Sequence, residues 1–172
     1  AGAGGEQVVA FKPRQTLESI VARRTEFLTG YQNAAYAERY RAFVARVQQQ
    51  EAALGRTQLT EAVAQGLFKL MAYKDEYEVA RLHSDPTFLA RIDAMFEGDY
   101  KIHYHLAPPM TAQRNERGEL VKKKYGSGMG RVFRLLARLK GLRGGALDLF
   151  GKTEERQTER ALIEQYRASI DE

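Results

Sequence analysis

NAAYAERYRAFVARVQQQEAALG, residues 33–55, decides the fold class. Tyr36, Tyr40, Phe43, Val44, Val47 and Leu54 are separated by 4, 3, 1, 3 and 7 residues, so a helix of about 3.6 residues per turn carries all six on one face. Asn33 is a natural N-cap, because its short side chain can accept a hydrogen bond from an unpaired amide of the first turn. Gly55 is a natural stop. Charged residues and glutamines fill the remaining face, as a half-solvated helix requires.

The same grammar extends to both sides. Thr16 caps a helix carrying Leu17, Ile20, Val21, Phe27 and Leu28, with Glu18 in the first turn and Gly30 as its expected end. A third helix starts near Thr57, buries Leu59, Val63, Leu67, Leu70 and Met71, and can run on through YKDEYEVARL to Leu82. Ser84-Asp85-Pro86 restarts the chain: Asp85 caps, and Pro86 sits at the first helical position, where its missing N–H costs nothing. Phe88, Leu89, Ile92, Met95 and Phe96 are then expected to face inward. Near the end, Thr153 caps a last helix, with Glu155 or Arg156 near the capping-box position and Ala161, Leu162, Tyr166 and Ile170 packing it.

The period changes at Tyr100. In KIHYHLA, Ile102, Tyr104 and Leu106 alternate with Lys101, His103 and His105, which is strand spacing. Pro108-Pro109 end this strand, RNERGEL supplies turn residues, and LVKKKY at 120–125 returns as a partner. VVAF, residues 8–11, reads as a further short strand stopped by Pro13. The expected fold is mainly α, with a small two-stranded antiparallel β element. Residues 1–12 read as a linker or expression scar, 13–56 as a helical arm and 57–172 as a mostly helical C-terminal domain.

The chain has 172 residues and no cysteine, which excludes disulfides, thiolate-held iron–sulfur clusters and thiol nucleophiles within it. No apolar run approaches the roughly 20 residues of a membrane-spanning helix, and a cytoplasmic protein is the expectation. Its charge is unevenly placed. Residues 1–120 carry 15 basic and 15 acidic side chains, residues 121–147 carry 8 and none, and residues 148–172 carry 4 and 7. The whole positive excess therefore lies in one segment, KKKYGSGMGRVFRLLARLKGLRGG at 122–145, and a local positive surface follows.

That surface consists of Lys122, Lys123, Lys124, Arg131, Arg134, Arg138, Lys140 and Arg143. Arg131, Arg134 and Arg138 recur at i, i+3 and i+7 on one helix face, with Val132, Leu135, Leu136 and Leu139 as a separate apolar stripe. The glycines of GSGMG at 126–130 match neither the phosphate-loop nor the dinucleotide-binding pattern. They leave a hinge or tight turn as one reading and bare amides for an anion as the other. A solvated face, an acidic protein partner and the phosphates of a nucleotide-bearing ligand all stay open. Nucleic acid is disfavoured, because only Tyr125 and Phe133 are at hand for stacking, and a membrane surface would want a broader apolar face. His103 and His105 share one side of the strand but lack further ligands for a metal. Asp75, Glu76 and Glu78 read as structural, with Lys74–Glu78 and Tyr77–Arg81 as i, i+4 pairs. No nucleophile set has a spacing signature.

Four strings carry a resemblance: LMAYKDEYEVARL (70–82), HLAPP (105–109), FRLLARLKGLRGGALDLFG (133–151) and ERQTERALIEQY (155–166). They resemble the C-terminal region of the fused indolepyruvate ferredoxin oxidoreductases, of the thiamine-diphosphate-dependent 2-oxoacid:ferredoxin oxidoreductase family. FKPRQTLESIVARRTEFLTGYQNAAYAERY (11–40) is similar to the helical end of the smaller catalytic section of those enzymes. The likeness departs at Ser127-Gly128 and Gly145, where the family pattern has an aromatic residue and a threonine. The resemblance implies a parent enzyme that decarboxylates a 2-oxoacid to an acyl-CoA and reduces ferredoxin. Thiamine diphosphate, magnesium, iron–sulfur clusters and CoA would belong to that parent, with no cofactor and no catalytic residue in this chain. Implied partners are the other domains of the parent, ferredoxin, and a second copy in a homodimer. The contrasting expectation is an independent nucleic-acid-binding or scaffold protein that uses the basic helix at 129–143.

Overall fold

A computed structural model describes residues 15–107 and 113–172. The expected linker at 1–12, the strand reading of VVAF and the Pro108-Pro109 stop lie outside the described residues. The described residues form seven α-helices and one two-stranded antiparallel sheet, the mainly α fold with a small β element that the periodicities predict.

The helix starts are set by local chemistry. Helix α1 (Leu17–Tyr31) begins where Thr16 accepts a hydrogen bond from the Ser19 amide at 3.2 Å. Helix α2 (Ala34–Ala52) begins where Asn33 accepts from the Tyr36 amide at 2.8 Å. Each cap satisfies a first-turn donor that has no partner within its helix. Gly30, the expected end of the first helix, lies inside α1, which continues to Tyr31 because Tyr31 is completely buried. Helix α3 (Gln58–Met71) is held to α2 by Glu51, whose carboxylate accepts from the Leu59 and Thr60 amides at 2.8 and 2.7 Å and from the Thr60 hydroxyl at 2.7 Å. Those hydrogen bonds hold the Glu51 carboxyl below its ordinary range although burial works in the opposite direction. Glu51 and Thr60 thereby take buried places expected for Leu54 and Leu59, both of which are exposed.

The third helix does not run on to Leu82. It stops at Met71, and helix α4 (Glu76–His83) starts afresh with Asp75 as its cap, accepting from the Glu78 amide at 2.8 Å. Helix α5 (Pro86–Asp93) follows, capped by Asp85 through the Thr87 and Phe88 amides. It buries no residue, so Phe88, Met95 and Phe96 stand exposed instead of facing inward. It packs on α4 over a short stretch. Strands β1 (Tyr104–Leu106) and β2 (Lys123–Tyr125) pair with Tyr104 opposite Tyr125 and His105 opposite Lys124. Helix α6 (Met129–Arg138) runs into a 3-10 turn, Leu139–Leu142, and helix α7 (Glu154–Asp171) closes the chain. Arg156 takes the third position of α7, so no capping box forms; Ile163 is its buried residue, and Ala161 and Leu162 are exposed.

Two apolar clusters result. The larger joins α1, α2, α3 and α7 through Leu28, Tyr31, Tyr40, Val44, Val63, Leu67 and Ile163. Helices α1 and α2, within the expected helical arm at 13–56, bury their apolar faces against α3 and α7. The smaller joins α4, β1 and α6 through Ala80, Tyr104 and Phe133.

Candidate functional site: a basic strip on the smaller cluster

The orientation of α6 determines what the basic segment offers. Phe133 is its buried residue, 3% exposed, and packs edge-on against Tyr104 with ring centroids 5.0 Å apart and against the His83 ring at 5.2 Å. Met129 and Leu136, four residues before and three after, complete the inward face. Val132 and Leu135, expected in the apolar stripe, are 44% and 59% exposed. The stripe read from sequence is therefore rotated: the aromatic ring, the largest apolar group available, takes the interior position. The rotation turns Arg131, Arg134 and Arg138 outward, and all three are exposed.

Lys122, Lys123 and Lys124 extend the same charge through β2 and the residue before it, and they too are exposed. None of these six side chains forms an ion pair among the described residues. Lys140 and Arg143 leave the strip. Lys140 donates to the Gly30 carbonyl at the end of α1, and burial, with Arg81 and Arg143 nearby, pulls its ammonium below the usual lysine range. Arg143, expected on the surface, is buried: its side chain is 2% exposed and paired with Asp75. The 3-10 turn that follows α6 swings both side chains back toward α1 and α4.

Beside the strip, a cavity of about 380 Å³ opens between α4, β1 and the start of α6. Lys101 and Arg134 line it together with His83 and Tyr100, and no carboxylate among the described residues does. The glycine segment next to it is a tight turn: the Met129, Gly130 and Arg131 amides donate to the carbonyls of Gly126, Ser127 and Gly128. Three amides that a phosphate cradle would present are thus engaged within the turn. His103 and His105 lie on the exposed side of the hairpin, and no group of three or more His, Asp or Glu able to hold a metal occurs among the described residues.

The chain matches a family of unknown function, DUF6537, over residues 17–172. It belongs to that family. No curated protein and no solved structure matches it. The DUF6537 span begins at the first residue of α1, so both apolar clusters and the basic strip lie inside it.

Buried carboxylates brace this DUF6537 fold. Glu78 holds Arg81 in a two-pronged pair with both contacts at 2.7 Å, in place of the expected Lys74–Glu78 pair, because Lys74 precedes the start of α4. Asp75 holds Arg143. Burial opposes the guanidinium charge, but the hydrogen bonds to Asp75 outweigh it and keep Arg143 above its ordinary range. Arg143 also donates to the Tyr31 carbonyl at 2.6 Å and lies 3.7 Å from the Tyr31 ring centre. Asp148 is a further buried carboxylate that sequence reasoning missed. It accepts from the Gly144, Phe150 and Gly151 amides and from the Tyr77 hydroxyl, folding GGALDLFG into a fixed loop. Its one sequence signal is an aspartate set between leucines in a glycine-bounded stretch. No helix among the described residues is long and apolar enough to cross a membrane.

Proposed function

We propose that this chain is a noncatalytic module of a thiamine-diphosphate-dependent 2-oxoacid:ferredoxin oxidoreductase, of the indolepyruvate type. It offers a basic surface to an acidic partner. The observation that carries the docking role is the outward strip of Lys122, Lys123, Lys124, Arg131, Arg134 and Arg138, exposed and without intramolecular ion pairs among the described residues. Six exposed cations within residues 122–138 create a potential that accelerates the encounter with an acidic protein and orients it on arrival. The assignment to a parent enzyme rests on the sequence strings at 70–82, 105–109, 133–151 and 155–166. It is supported by the apolar surface of Phe88, Met95 and Phe96 around α5, a patch suited to packing on a catalytic domain.

Ferredoxin is the acidic partner we infer, and the phosphates of CoA are the rival ligand, with the cavity beside Lys101 and Arg134 as their place of entry. Titration calorimetry of the full chain with ferredoxin, at low and moderate salt, tests the reading. Micromolar binding that weakens with salt and vanishes in the Arg131→Glu, Arg134→Glu, Arg138→Glu variant supports it. Absence of ferredoxin binding together with CoA binding transfers the strip to the nucleotide. Binding of RNA with a steep salt slope, and of neither other ligand, favours the independent nucleic-acid protein.

A further inference from the structure

The outward face of α6 is not made of charge alone. With Phe133 buried, a helix of about 3.6 residues per turn places Met129, Leu136 and Ala137 on the inner side and Arg131, Val132, Arg134, Leu135 and Arg138 on the outer side. The exposures follow that division. Leu135 is 59% exposed, with Arg131 one turn before it and Arg138 one turn after. Val132, 44% exposed, lies beside it on the same face. A lone exposed leucine is ordinary on a protein surface. An apolar pair set against three arginines is a different arrangement, since an apolar patch rimmed by polar groups marks a contact surface. Arginine, not lysine, supplies every cation of this helix. Its guanidinium is planar and weakly hydrated, so it can grip a carboxylate with two hydrogen bonds while lying against an apolar neighbour.

We propose that α6 recognises a protein segment in which an apolar side chain stands among carboxylates. The carboxylates pair with Arg131, Arg134 and Arg138, and the apolar side chain covers Val132 and Leu135. This inference rests on the docking reading above and names the chemistry of the segment that docks. Long-range attraction would set the rate of encounter, and the apolar contact would set how long the complex lasts. Other occupants fit the face less well. The broader apolar side of α6 is packed inward against Ala80 and Tyr104, so it cannot enter a bilayer. A second copy apposed through the same face would set arginine against arginine. Nucleic acid would find no aromatic ring among the outward residues of α6 on which to stack a base.

The test is calorimetric titration of the full chain with two synthetic peptides of equal negative charge. One interleaves glutamates with leucines at helical spacing, and the other has alanine in place of each leucine. We expect the leucine peptide to bind at least about tenfold tighter. That ratio should hold from low to moderate salt while both affinities fall together, because salt screens the charges and not the apolar contact. The Val132→Thr, Leu135→Gln variant should bring the leucine peptide to within about threefold of the alanine peptide, and the Arg131→Glu, Arg134→Glu, Arg138→Glu variant should bind neither. Equal binding of both peptides by the unaltered chain would overturn the inference and leave the docking strip standing. So would a leucine preference that survives in the Val132→Thr, Leu135→Gln variant, its fold checked by far-UV circular dichroism. Binding of neither peptide at low salt would remove the docking reading as well. Binding to phosphatidylserine vesicles that the same double variant weakens, without a leucine preference between the peptides, would assign the face to a membrane instead.

Discussion

Replacing Arg143 by methionine tests how the two clusters are joined. Arg143 sits 68 residues after Asp75 and 112 after Tyr31, and its side chain binds both. Arg143→Met keeps an unbranched apolar side chain against Tyr31 and removes the bidentate pair with Asp75 and the bond to the Tyr31 carbonyl. Asp75 is then left 3% exposed with only its cap contact to the Glu78 amide. Stranding a buried carboxylate in this way costs about 3–5 kcal/mol, against a total stability of about 5–15 kcal/mol for a domain. For a chain of this length, that is a fall in Tm of roughly 6–20 °C. The Arg143→Met, Asp75→Ser double variant removes the stranded charge and keeps a capping hydroxyl, so it should recover about half of the loss. Arg143→Lys keeps the charge but not the fork, and should fall between the unaltered chain and Arg143→Met. Urea unfolding followed by far-UV circular dichroism measures all four proteins. A loss below about 1 kcal/mol for Arg143→Met, or a double variant worse than the single one, would refute the reasoning.

Three further outcomes follow from the same geometry. Phe133→Ala should cost about 3–5 kcal/mol by opening the smaller cluster, while Val132→Ala and Leu135→Ala stay within about 0.5 kcal/mol; equal losses at Phe133 and Leu135 in urea unfolding would mean that α6 is rotated otherwise. Asp148→Ala should cost about 2–3 kcal/mol by leaving loop amides without an acceptor, and should raise hydrogen exchange at the Gly144 and Gly151 amides; unchanged protection there would remove Asp148 from its structural role. Alkaline pH should destabilise the fold. Tyr31, Tyr36, Tyr40, Tyr73, Tyr77 and Tyr166, six of the nine tyrosines, have phenol pKa values raised above 10, chiefly by burial. Between the unfolded value near 10 and the higher folded values, the unfolded chain has lost protons that the folded chain retains, so stability falls as pH rises. For Tyr77, pushed up to about 12, the window is pH 10 to 12, and Tyr77→Phe should flatten the decline there; phenolate absorbance titrating fully near pH 10 with the fold intact would contradict it.

What the sequence makes legible here is local. Asn33, Asp85, Thr16 and Thr153 start their helices as read, because a cap needs only its own side chain and the amides two or three residues ahead. The hairpin was legible in the alternation of Ile102, Tyr104 and Leu106, with Tyr104 buried and His103 and His105 outside. Gly30 and Leu54 misled for a related reason: propensity and periodicity state what an isolated helix prefers, while the burial of Tyr31 and Glu51 supplies a larger energy from elsewhere in the chain.

The sequence by itself determined the helical class, most helix starts, the small sheet and the segregation of positive charge, since each depends on spacing along the chain. The tertiary structure decided which of those charges can meet a partner. Arg131, Arg134 and Arg138 face outward because Phe133 finds Tyr104 and His83, and Arg143 is drawn inside because Asp75 and the end of α1 converge on it. A cavity between α2, α7 and the loop after the 3-10 turn is assembled from elements over a hundred residues apart, so no local pattern announces it. Burial is a property of neighbours in space, and residues distant in sequence become neighbours only when the chain has folded.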